Sequence, residues 1–350
     1  MPIRSRAAAL FVAIATASAI LSAQQPTPTP LLDGRGLPLP YGVPAYFKPD
    51  VPLGSGPYKA TLSEDKGLSA HVVYAPADLS KLGARTLPVV LWANGSCLYA
   101  GNRYRQFLTE VASHGYLAIA GGPMGAVELE VGPQSNPAPR QGGAGAAGGG
   151  RGGRGGDGQA APPAAAAPAA NRVTVALMKE AVDWAVKQNS DGASRFNGRL
   201  DLTHIVSMGH SCGGGVAAQL ATEEPRINGV GIWFSGIGLV GARGSDPASI
   251  QQIKGPVLLI TGEEALDTAF PAGKTTHERI AHLPLFYGWQ DKLQHIGTFG
   301  ARNGGDIGVL AVNWLEWTTR NDSKAGRMFK GPNCTLCKDA TWHIQKKRID

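Results

Sequence analysis

The sequence predicts an α/β protein in which helices cover both faces of a mostly parallel central sheet. Strand-like runs alternate with helical runs from about residue 57 onward, a pattern typical of parallel sheets joined by helical crossovers. The chain has 350 residues, of which 43% are hydrophobic and 17% are charged. This composition excludes a disordered protein and is sufficient for a large packed core. We therefore expect one α/β domain over residues 57–350.

Hydrophobic periodicity places the elements in order along the chain. Short apolar runs indicate strands, and apolar residues three and four positions apart indicate helices. The predicted strands cover residues 70–75, 87–93, 116–120, 204–208, 230–234, 256–261 and 284–287. The predicted helices cover residues 104–114, 173–188, 211–221 and 306–319, and another follows residue 267 and includes His277 and His282.

The first 56 residues have the composition of an export signal followed by a linker. Arg4 and Arg6 precede a mostly apolar run that ends at Ala23, which predicts a cleaved signal peptide over residues 1–23 and a secreted protein, extracellular or periplasmic. The alternative is a membrane anchor, but the apolar run over residues 7–22 is shorter than the roughly 20 residues that span a bilayer. Residues 24–56 are rich in Pro and Gly, and we expect an extended lead-in there.

Residues 134–170 form a low-complexity insert dominated by Gly, Ala, Pro and Arg. Such a segment cannot bury enough apolar surface to offset its ordering entropy, so we expect it to be disordered. Its RGG-like repeat at 151–156 lacks interleaved aromatic residues and follows an export signal, so nucleic acid is not an expected partner. The net charge agrees, because removing Arg4 and Arg6 from the 33 basic residues leaves 31 against 26 acidic ones, a mild excess.

The strongest chemical signal is the stretch Gly209-His210-Ser211-Cys212-Gly213. It matches G-x-S-x-G between a predicted strand and a predicted helix, which is the setting of a nucleophile elbow. In such an elbow a strained turn makes the serine hydroxyl protrude, and the small neighbours two positions away avoid a clash. We therefore predict that Ser211 is a catalytic nucleophile.

A serine nucleophile needs a base, and the base needs a carboxylate that orients it. In hydrolases that carry their serine on a nucleophile elbow, the order along the chain is serine, acid, histidine. The strand at 256–261 is followed by Glu263, Glu264 and Asp267, which places carboxylates on the loop after a strand. We predict Asp267 as the acid because it lies a short turn beyond the strand, and Glu263 and Glu264 remain alternatives.

Four histidines follow the acid loop and are candidates for the base. His277 and His282 belong to the predicted helix after residue 267, and His343 lies in a basic tail with Lys346, Lys347 and Arg348, which we interpret as a solvated end. His295 lies on a loop between the last predicted strand and the last predicted helix, so we predict it as the base. His210, beside the nucleophile, is interpreted as a residue that lines the pocket wall or packs in the core.

An oxyanion hole needs two convergent backbone N–H groups. One belongs to the residue after the nucleophile, Cys212, and the other to the loop after an early strand. In that loop Gly95 permits a sharp turn, after which Ser96 or Cys97 offers its N–H. We assign Ser96 as the second donor.

Several stretches together resemble the α/β-hydrolase superfamily. They are Asn94-Gly95-Ser96, Ala112-Ser113-His114-Gly115-Tyr116, Gly209-His210-Ser211-Cys212-Gly213-Gly214, Leu266-Asp267-Thr268 and His295. Within the superfamily the chain is most similar to the branch of dienelactone hydrolases, bacterial cutinases and polyester hydrolases, in order from about Val89 to Trp317. The resemblance also favours Asp267 as the acid, because the polyester hydrolases place the acid directly before Thr or Ser.

The resemblance implies an α/β-hydrolase fold, a Ser211–His295–Asp267 triad and hydrolysis of carboxylic esters through an acyl-enzyme, without a cofactor or a metal. The expected partner is a small-molecule or polymeric ester. The polyester hydrolases have an aromatic residue where this chain has Ser96 and a methionine where it has Cys212. The resemblance therefore does not specify the acyl group of the substrate. The alternatives are a serine peptidase or acyltransferase on the same fold, or a secreted binding module without turnover.

The four cysteines occupy two kinds of position. Cys97 follows the proposed oxyanion loop and Cys212 follows the nucleophile, so the implied fold brings these loops together and we predict a Cys97–Cys212 disulfide; two free buried thiols are the alternative. Cys334 and Cys337 form a C-x-x-C near the C-terminus, for which redox chemistry or half a zinc site are alternatives. We predict a small structural disulfide there.

Overall fold

The structure is a computed structural model that describes residues 54–125, 172–237 and 249–350. The predicted signal peptide, nearly all of the lead-in over 24–56 and the insert over 134–170 lie outside these ranges. Within the described ranges, no helix has the length and apolar character needed to cross a bilayer. Residue 55, at the end of the lead-in, packs on the domain: the Ser55 N–H and hydroxyl both donate to the Glu110 carboxylate, at 2.7 and 2.6 Å.

The described chain forms one nine-stranded sheet. Its strands are β1 (Ala60–Ser63), β2 (His71–Pro76), β3 (Leu87–Ala93), β4 (Leu117–Gly121), β5 (Leu200–His210), β6 (Gly229–Trp233), β7 (Val257–Thr261), β8 (Leu285–Gln290) and β9 (Trp342–Lys347). They lie in the order β1-β2-β4-β3-β5-β6-β7-β8-β9. The central strands from β4 to β8 are parallel, whereas β1, β2 and β9 pair antiparallel at the two sides.

Helices pack on both faces of this sheet. They are α1 (Arg105–Ser113), α2 (Val175–Ser190), α3 (Cys212–Glu223), α4 (Phe270–Arg279), α5 (Gly305–Arg320) and the short α6 (Ser323–Gly326). Because successive strand residues point to opposite faces, Val89 and Leu91 of β3 join one core cluster with α2 and α3, while Val90 and Trp92 join the other with α1 and α5. The prediction of an α/β protein with a mostly parallel sheet is confirmed.

The C-terminal strand was not predicted. The residues interpreted as a solvated basic tip instead include the end of β9, which pairs antiparallel with β8 from Trp342 to Lys347. The Lys347 ammonium donates to carbonyls at the end of α4, including that of Ile280 at 3.0 Å. The interpretation of this tip was therefore wrong, because its charges satisfy backbone carbonyls that no sequence pattern reveals.

Two predicted boundaries also differ. Strand β5 begins at Leu200 rather than at residue 204, because its first residues pair with the start of β3 before a register shift after Pro88. Helix α4 ends at Arg279, so His282 lies beyond it and not on it. The prediction that His282 is helical was wrong.

The parallel strands determine where the site lies. Strands β3, β5, β7 and β8 end at Ala93, His210, Thr261 and Gln290, respectively. Their carboxyl ends share one edge of the sheet, because all four run in the same direction. The loops that carry Ser96, Ser211, Asp267 and His295 therefore emerge at one edge, where ligands bind in open parallel α/β sheets.

Candidate active site

Ser211 occupies a sharp turn between β5 and α3. Its backbone has φ 52° and ψ −121°, a conformation that non-glycine residues avoid. A Cβ on Gly209 would lie 2.2 Å from the Gly213 carbonyl oxygen, and one on Gly213 would lie 2.0 Å from the Ala93 carbonyl oxygen. Only glycine fits at these two positions, which is the physical reason for the G-x-S-x-G spacing.

Neighbouring backbone and side-chain groups hold the turn in place. The Ser211 N–H donates to the Trp233 carbonyl at 2.9 Å. The Ser211 carbonyl accepts from the Ser235 hydroxyl at 2.7 Å and from the Gly214 N–H at 2.8 Å. The strained conformation is thus fixed by bonds from β6, from the residues that follow it and from the first turn of α3.

The structure brings Ser211, His295 and Asp267 into one hydrogen-bonded row. His295 Nε2 lies 2.9 Å from Ser211 Oγ, and His295 Nδ1 lies 2.6 Å from Asp267 Oδ1. The carboxylate accepts, so Nδ1 carries the proton and Nε2 accepts from the serine hydroxyl. The His295 side chain is 33% exposed, whereas that of Asp267 is fully buried. This arrangement can remove a proton from Ser211 as its oxygen attacks.

The buried carboxylate of Asp267 stays ionised because its environment compensates for burial. Burial alone would raise the pKa of Asp267, but hydrogen bonds from His295 and from backbone amides lower it. The Gly262 N–H donates to Oδ2 at 2.7 Å and the Ala269 N–H donates to Oδ1 at 2.9 Å. The acid is therefore oriented by three donors and keeps the negative charge that stabilises an imidazolium.

The alternative acids have other contacts. The Glu263 carboxylate accepts from the Lys292 N–H at 2.6 Å, and the Glu263 N–H donates to the Leu293 carbonyl at 2.8 Å. Glu263 thus ties the loop after β7 to the loop that leads to His295. Glu264 is exposed. Of the three carboxylates in this loop, the structure places Asp267 against the imidazole.

The other downstream histidines lie elsewhere. The ring of His277, in α4, packs against Tyr287 with their centroids 5.5 Å apart. His282 bonds to a backbone carbonyl at 3.3 Å, and His343, on β9, pairs with Asp291 at 2.8 Å. None of these three contacts Ser211 in the described part of the chain.

The turn after β3 carries the proposed second oxyanion donor. Ser96 and Cys97 both have positive φ, 56° and 50°. The Cys97 N–H donates to the Asn94 carbonyl at 3.1 Å, so it is already used. The Ser96 and Cys212 N–H groups have no acceptor among the described residues, which leaves both free for a substrate oxygen.

Asn94 is a positioning residue that the sequence did not reveal. Its buried side-chain amide donates to the carbonyls of Leu98, Ala100 and Gly121, at 2.8, 3.1 and 2.8 Å. These bonds hold the turn against the end of β4. An Asn-Gly pair after a strand is the signal for a turn, but its long-range partners are set by the fold.

Two disulfides join the four cysteines. Cys97 and Cys212 are bonded with their Cα atoms 5.3 Å apart, so the two proposed oxyanion segments are covalently linked. Cys334 and Cys337 are bonded with their Cα atoms 4.8 Å apart. The predicted pairing of the cysteines is present, and neither the free thiols nor the half zinc site is.

The aromatic residues before His295 belong to the core and the sheet edge. Tyr287 is buried, and its hydroxyl lies 3.2 Å from the Thr261 hydroxyl. Trp289 stacks on His343 of β9 with the ring centroids 5.2 Å apart. The contacts of Tyr287 and Trp289 are therefore those of core and sheet-edge residues.

His210 and Tyr104 lie directly behind the triad. His210 Nδ1 is 2.7 Å from the Tyr104 hydroxyl, and His210 Nε2 is 2.8 Å from the carbonyl oxygen of His295. The packing role expected for His210 is thus accompanied by two hydrogen bonds. Nothing in the sequence singles out Tyr104, because it is 106 residues from its partner.

Comparisons with known proteins add no assignment. No protein-family model matches the chain, and no curated protein matches it significantly. Within the described ranges, no group of three or more His, Cys, Asp or Glu side chains is placed to hold a metal ion. The geometry at the carboxyl edge of the sheet is therefore the main basis for a functional assignment.

Proposed function

We propose that this protein is a serine hydrolase of the α/β-hydrolase type that cleaves carboxylic esters through an acyl-enzyme. The observation that carries the proposal is the continuous row from Ser211 Oγ through His295 to Asp267, at 2.9 and 2.6 Å. The elbow conformation of Ser211 and the order serine, acid, histidine support the same fold type. The resemblance to dienelactone hydrolases and polyester hydrolases supports an ester substrate.

Acylation begins when Ser211 Oγ attacks the ester carbonyl carbon. Its proton passes to His295 Nε2, and the imidazolium that forms is stabilised by the Asp267 carboxylate. The carbonyl oxygen becomes an oxyanion, which accepts hydrogen bonds from the N–H groups of Ser96 and Cys212. When the tetrahedral intermediate collapses, the C–O bond to the alcohol breaks, and His295 returns the proton to the leaving oxygen.

Deacylation repeats these steps with water as the nucleophile. His295 takes a proton from the water, whose oxygen attacks the acyl carbon of the ester on Ser211. The second tetrahedral intermediate breaks the bond to Ser211 Oγ, and the proton on His295 restores the serine hydroxyl. The products are a carboxylic acid and an alcohol. The chain supplies every group that these steps need.

We also propose that the protein acts outside the cytoplasm on small or polymeric esters. The apolar leader over 7–22 supports export. The two disulfides support it independently, because such bonds persist in oxidising compartments.

The first test compares the mature protein with Ser211→Ala, using p-nitrophenyl esters of short and medium chain length and a fluorophosphonate probe. We expect turnover and labelling in the wild type and the loss of both in the variant, with a fall in kcat of at least about 10⁴-fold. Ser207→Ala is the matched control. Ser207 is a buried serine of β5, four residues before Ser211, and its hydroxyl donates to the Ala217 carbonyl at 3.0 Å, so labelling should persist.

Other results of this test would indicate a different function or a wider range of substrates. Labelling without ester turnover would replace the ester assignment with a serine peptidase or acyltransferase. A folded wild-type protein that is neither labelled nor active would overturn the catalytic proposal and favour a secreted binding module. Release of soluble acid from an aliphatic polyester film would place polymers among the substrates.

A further inference from the structure

A buried chain of hydrogen bonds connects the oxyanion turn to the loop of the base. The Gly95 N–H donates to the Tyr104 hydroxyl oxygen at 3.1 Å. That hydroxyl lies 2.7 Å from His210 Nδ1, and His210 Nε2 lies 2.8 Å from the backbone carbonyl oxygen of His295. Tyr104 and His210 are only 6% and 5% exposed, so water does not compete for these bonds.

The groups at the two ends of this series of hydrogen bonds determine which atom donates in each bond. The His295 carbonyl only accepts, so His210 Nε2 carries a proton and Nδ1 is the acceptor. The Tyr104 hydroxyl must then donate to Nδ1, and its oxygen accepts from the Gly95 N–H. Burial lowers the pKa of His210 to about 3 and raises the pKa of Tyr104. Both side chains are therefore neutral at the pH at which an esterase works.

These hydrogen bonds join the loop of the proposed oxyanion donor to the loop of the proposed base. At one end, Gly95 directly precedes Ser96, the proposed oxyanion donor, whose φ of 56° requires support from its neighbours. At the other end, the accepting carbonyl belongs to His295 itself. A shift of about 1 Å in either group would misplace a reacting atom and lower the rate by about 100-fold.

The packing around Tyr104 and His210 leaves these side chains little freedom to move. A Cβ on Gly95 would lie 2.4 Å from His210 Nδ1 and 2.5 Å from the Tyr104 hydroxyl oxygen, so the backbone approaches both groups as closely as only glycine permits. The ring of Phe299 packs edge-on against Tyr104 and His210, with centroids 5.3 and 5.2 Å apart. Steric contact and hydrogen bonding thus hold the same geometry.

We propose that Tyr104 and His210 are positioning residues that set the distance between the oxyanion donor Ser96 and the base His295. This inference rests on the proposed hydrolase function. Neither side chain touches the reacting atoms in the proposed mechanism. They act through the backbone of Gly95 and His295, so their loss should affect the transition state more than the binding of substrate.

The test measures kcat, KM and the inhibition constant of a phenylboronic acid, a transition-state analogue, on p-nitrophenyl esters. For Tyr104→Phe we expect kcat to fall by about 10- to 100-fold, KM to change by less than about threefold, and boronate inhibition to weaken in parallel with kcat/KM. A fold that is only less stable would lose active protein without moving the inhibition constant. Thermal unfolding of each variant monitors its stability.

Two further variants keep the result interpretable. His210→Gln retains an acceptor and a donor and should recover much of the activity that His210→Leu loses. Tyr116→Phe is the matched control, because Tyr116 is also a buried tyrosine and its hydroxyl donates to Glu316 at 2.9 Å, in a bond that involves neither Gly95 nor His295. Tyr116→Phe should leave kcat within about twofold of the wild type.

The outcomes separate this inference from the proposed function. If Tyr104→Phe matches Tyr116→Phe in kcat and in boronate inhibition, or if His210→Leu equals His210→Gln, the positioning role is wrong while the hydrolase assignment stands. If the folded wild type reacts with neither ester nor fluorophosphonate, the hydrolase assignment is wrong and the positioning role is lost with it.

Discussion

Two regions of this molecule each contain a disulfide, but they use it differently. The region that contains the proposed active site (residues 94–98 and 210–223, called the active-site region below) has Cys97 bonded to Cys212, and these two residues are 115 positions apart. The C-terminal segment (residues 322–350) has Cys334 bonded to Cys337, only three residues apart. The first bond joins two separate loops at the carboxyl edge of the sheet. The second closes a small loop before β9.

Backbone strain distinguishes the same two regions. In the active-site region Ser96, Cys97 and Ser211 all have φ between 50° and 56°. In the C-terminal segment, all of which the structure describes, Arg348 is the only non-glycine residue with positive φ. Conformations of this kind cost about 1–3 kcal/mol each and persist only where the surroundings impose them.

The comparison shows what each region contributes. The active-site region contains tight backbone approaches and strained turns, which are held together by the Cys97–Cys212 bond and by the hydrogen bonds of Tyr104 and His210. The C-terminal segment covers the edge of the sheet with buried Phe329, Trp342 and Ile349 and has no contact with the triad in the described structure. We infer that the first disulfide supports catalysis and stability, and the second supports stability alone.

Removing the active-site disulfide should have the largest effect. In the chain-entropy description, a bond that closes a 115-residue loop stabilises the fold by about 5 kcal/mol. We expect Cys97→Ala/Cys212→Ala to lower the free energy of unfolding by about that amount. We also expect kcat to fall by about 100-fold, as when one oxyanion donor is lost. Urea unfolding and ester kinetics measure the two effects separately.

The control for that variant is chemical reduction of the wild type under native conditions. If dithiothreitol breaks the Cys97–Cys212 bond, shown by thiol alkylation and mass spectrometry, and kcat stays unchanged, then the disulfide does not position the oxyanion turn. Normal kcat in a fully folded Cys97→Ala/Cys212→Ala protein would contradict the assignment in the same way.

Acid should destabilise the active-site region next most strongly. Burial lowers the pKa of His210 to about 3, against about 6.5 for an unfolded histidine. Between these values the unfolded chain binds a proton that the folded chain does not, so the free energy of unfolding falls as pH falls, by up to about 1.4 kcal/mol per pH unit. His210→Gln should reduce the slope of stability against pH between 6 and 4.

The matched control for acid is His343→Gln in the C-terminal segment, because the side chain of His343 is 46% exposed. Stability is followed by urea unfolding at each pH. If His210→Gln and His343→Gln change the slope equally, His210 is not the buried neutral group that the structure describes.

Removing the C-terminal disulfide should have the smallest effect. A loop closed over three residues gains only about 2 kcal/mol from the bond. Cys334→Ala/Cys337→Ala should therefore lower the midpoint of thermal unfolding by a few degrees and leave kcat within about twofold of the wild type. A tenfold loss of kcat in this variant would show that the tail reaches the site and would remove the contrast between the two regions.

Several features followed from the sequence because they depend on local rules. The sequence predicted an elbow at Gly209, Ser211 and Gly213, since a strand-like run and a helical run flank them, and in the structure a Cβ on either glycine would collide with a backbone carbonyl. The alternation of apolar runs predicted the parallel core strands. Strand β9 was not predicted because its residues 342–347 are mostly polar, and they form a strand only by pairing with β8.

The sequence by itself determined the α/β class, the elbow and the pool of candidate acids, bases and cysteines, because these follow from periodicity, glycine sterics and chain order. The sequence also favoured Asp267 and His295 by their positions on loops, but only the tertiary structure shows that these two side chains meet Ser211, since that contact depends on which loops come together. The tertiary structure also determines that Tyr104 and His210 form a hydrogen bond. A hydrogen bond between residues 106 positions apart leaves no local pattern, because parallel strands alone bring its two partners to one edge of the sheet.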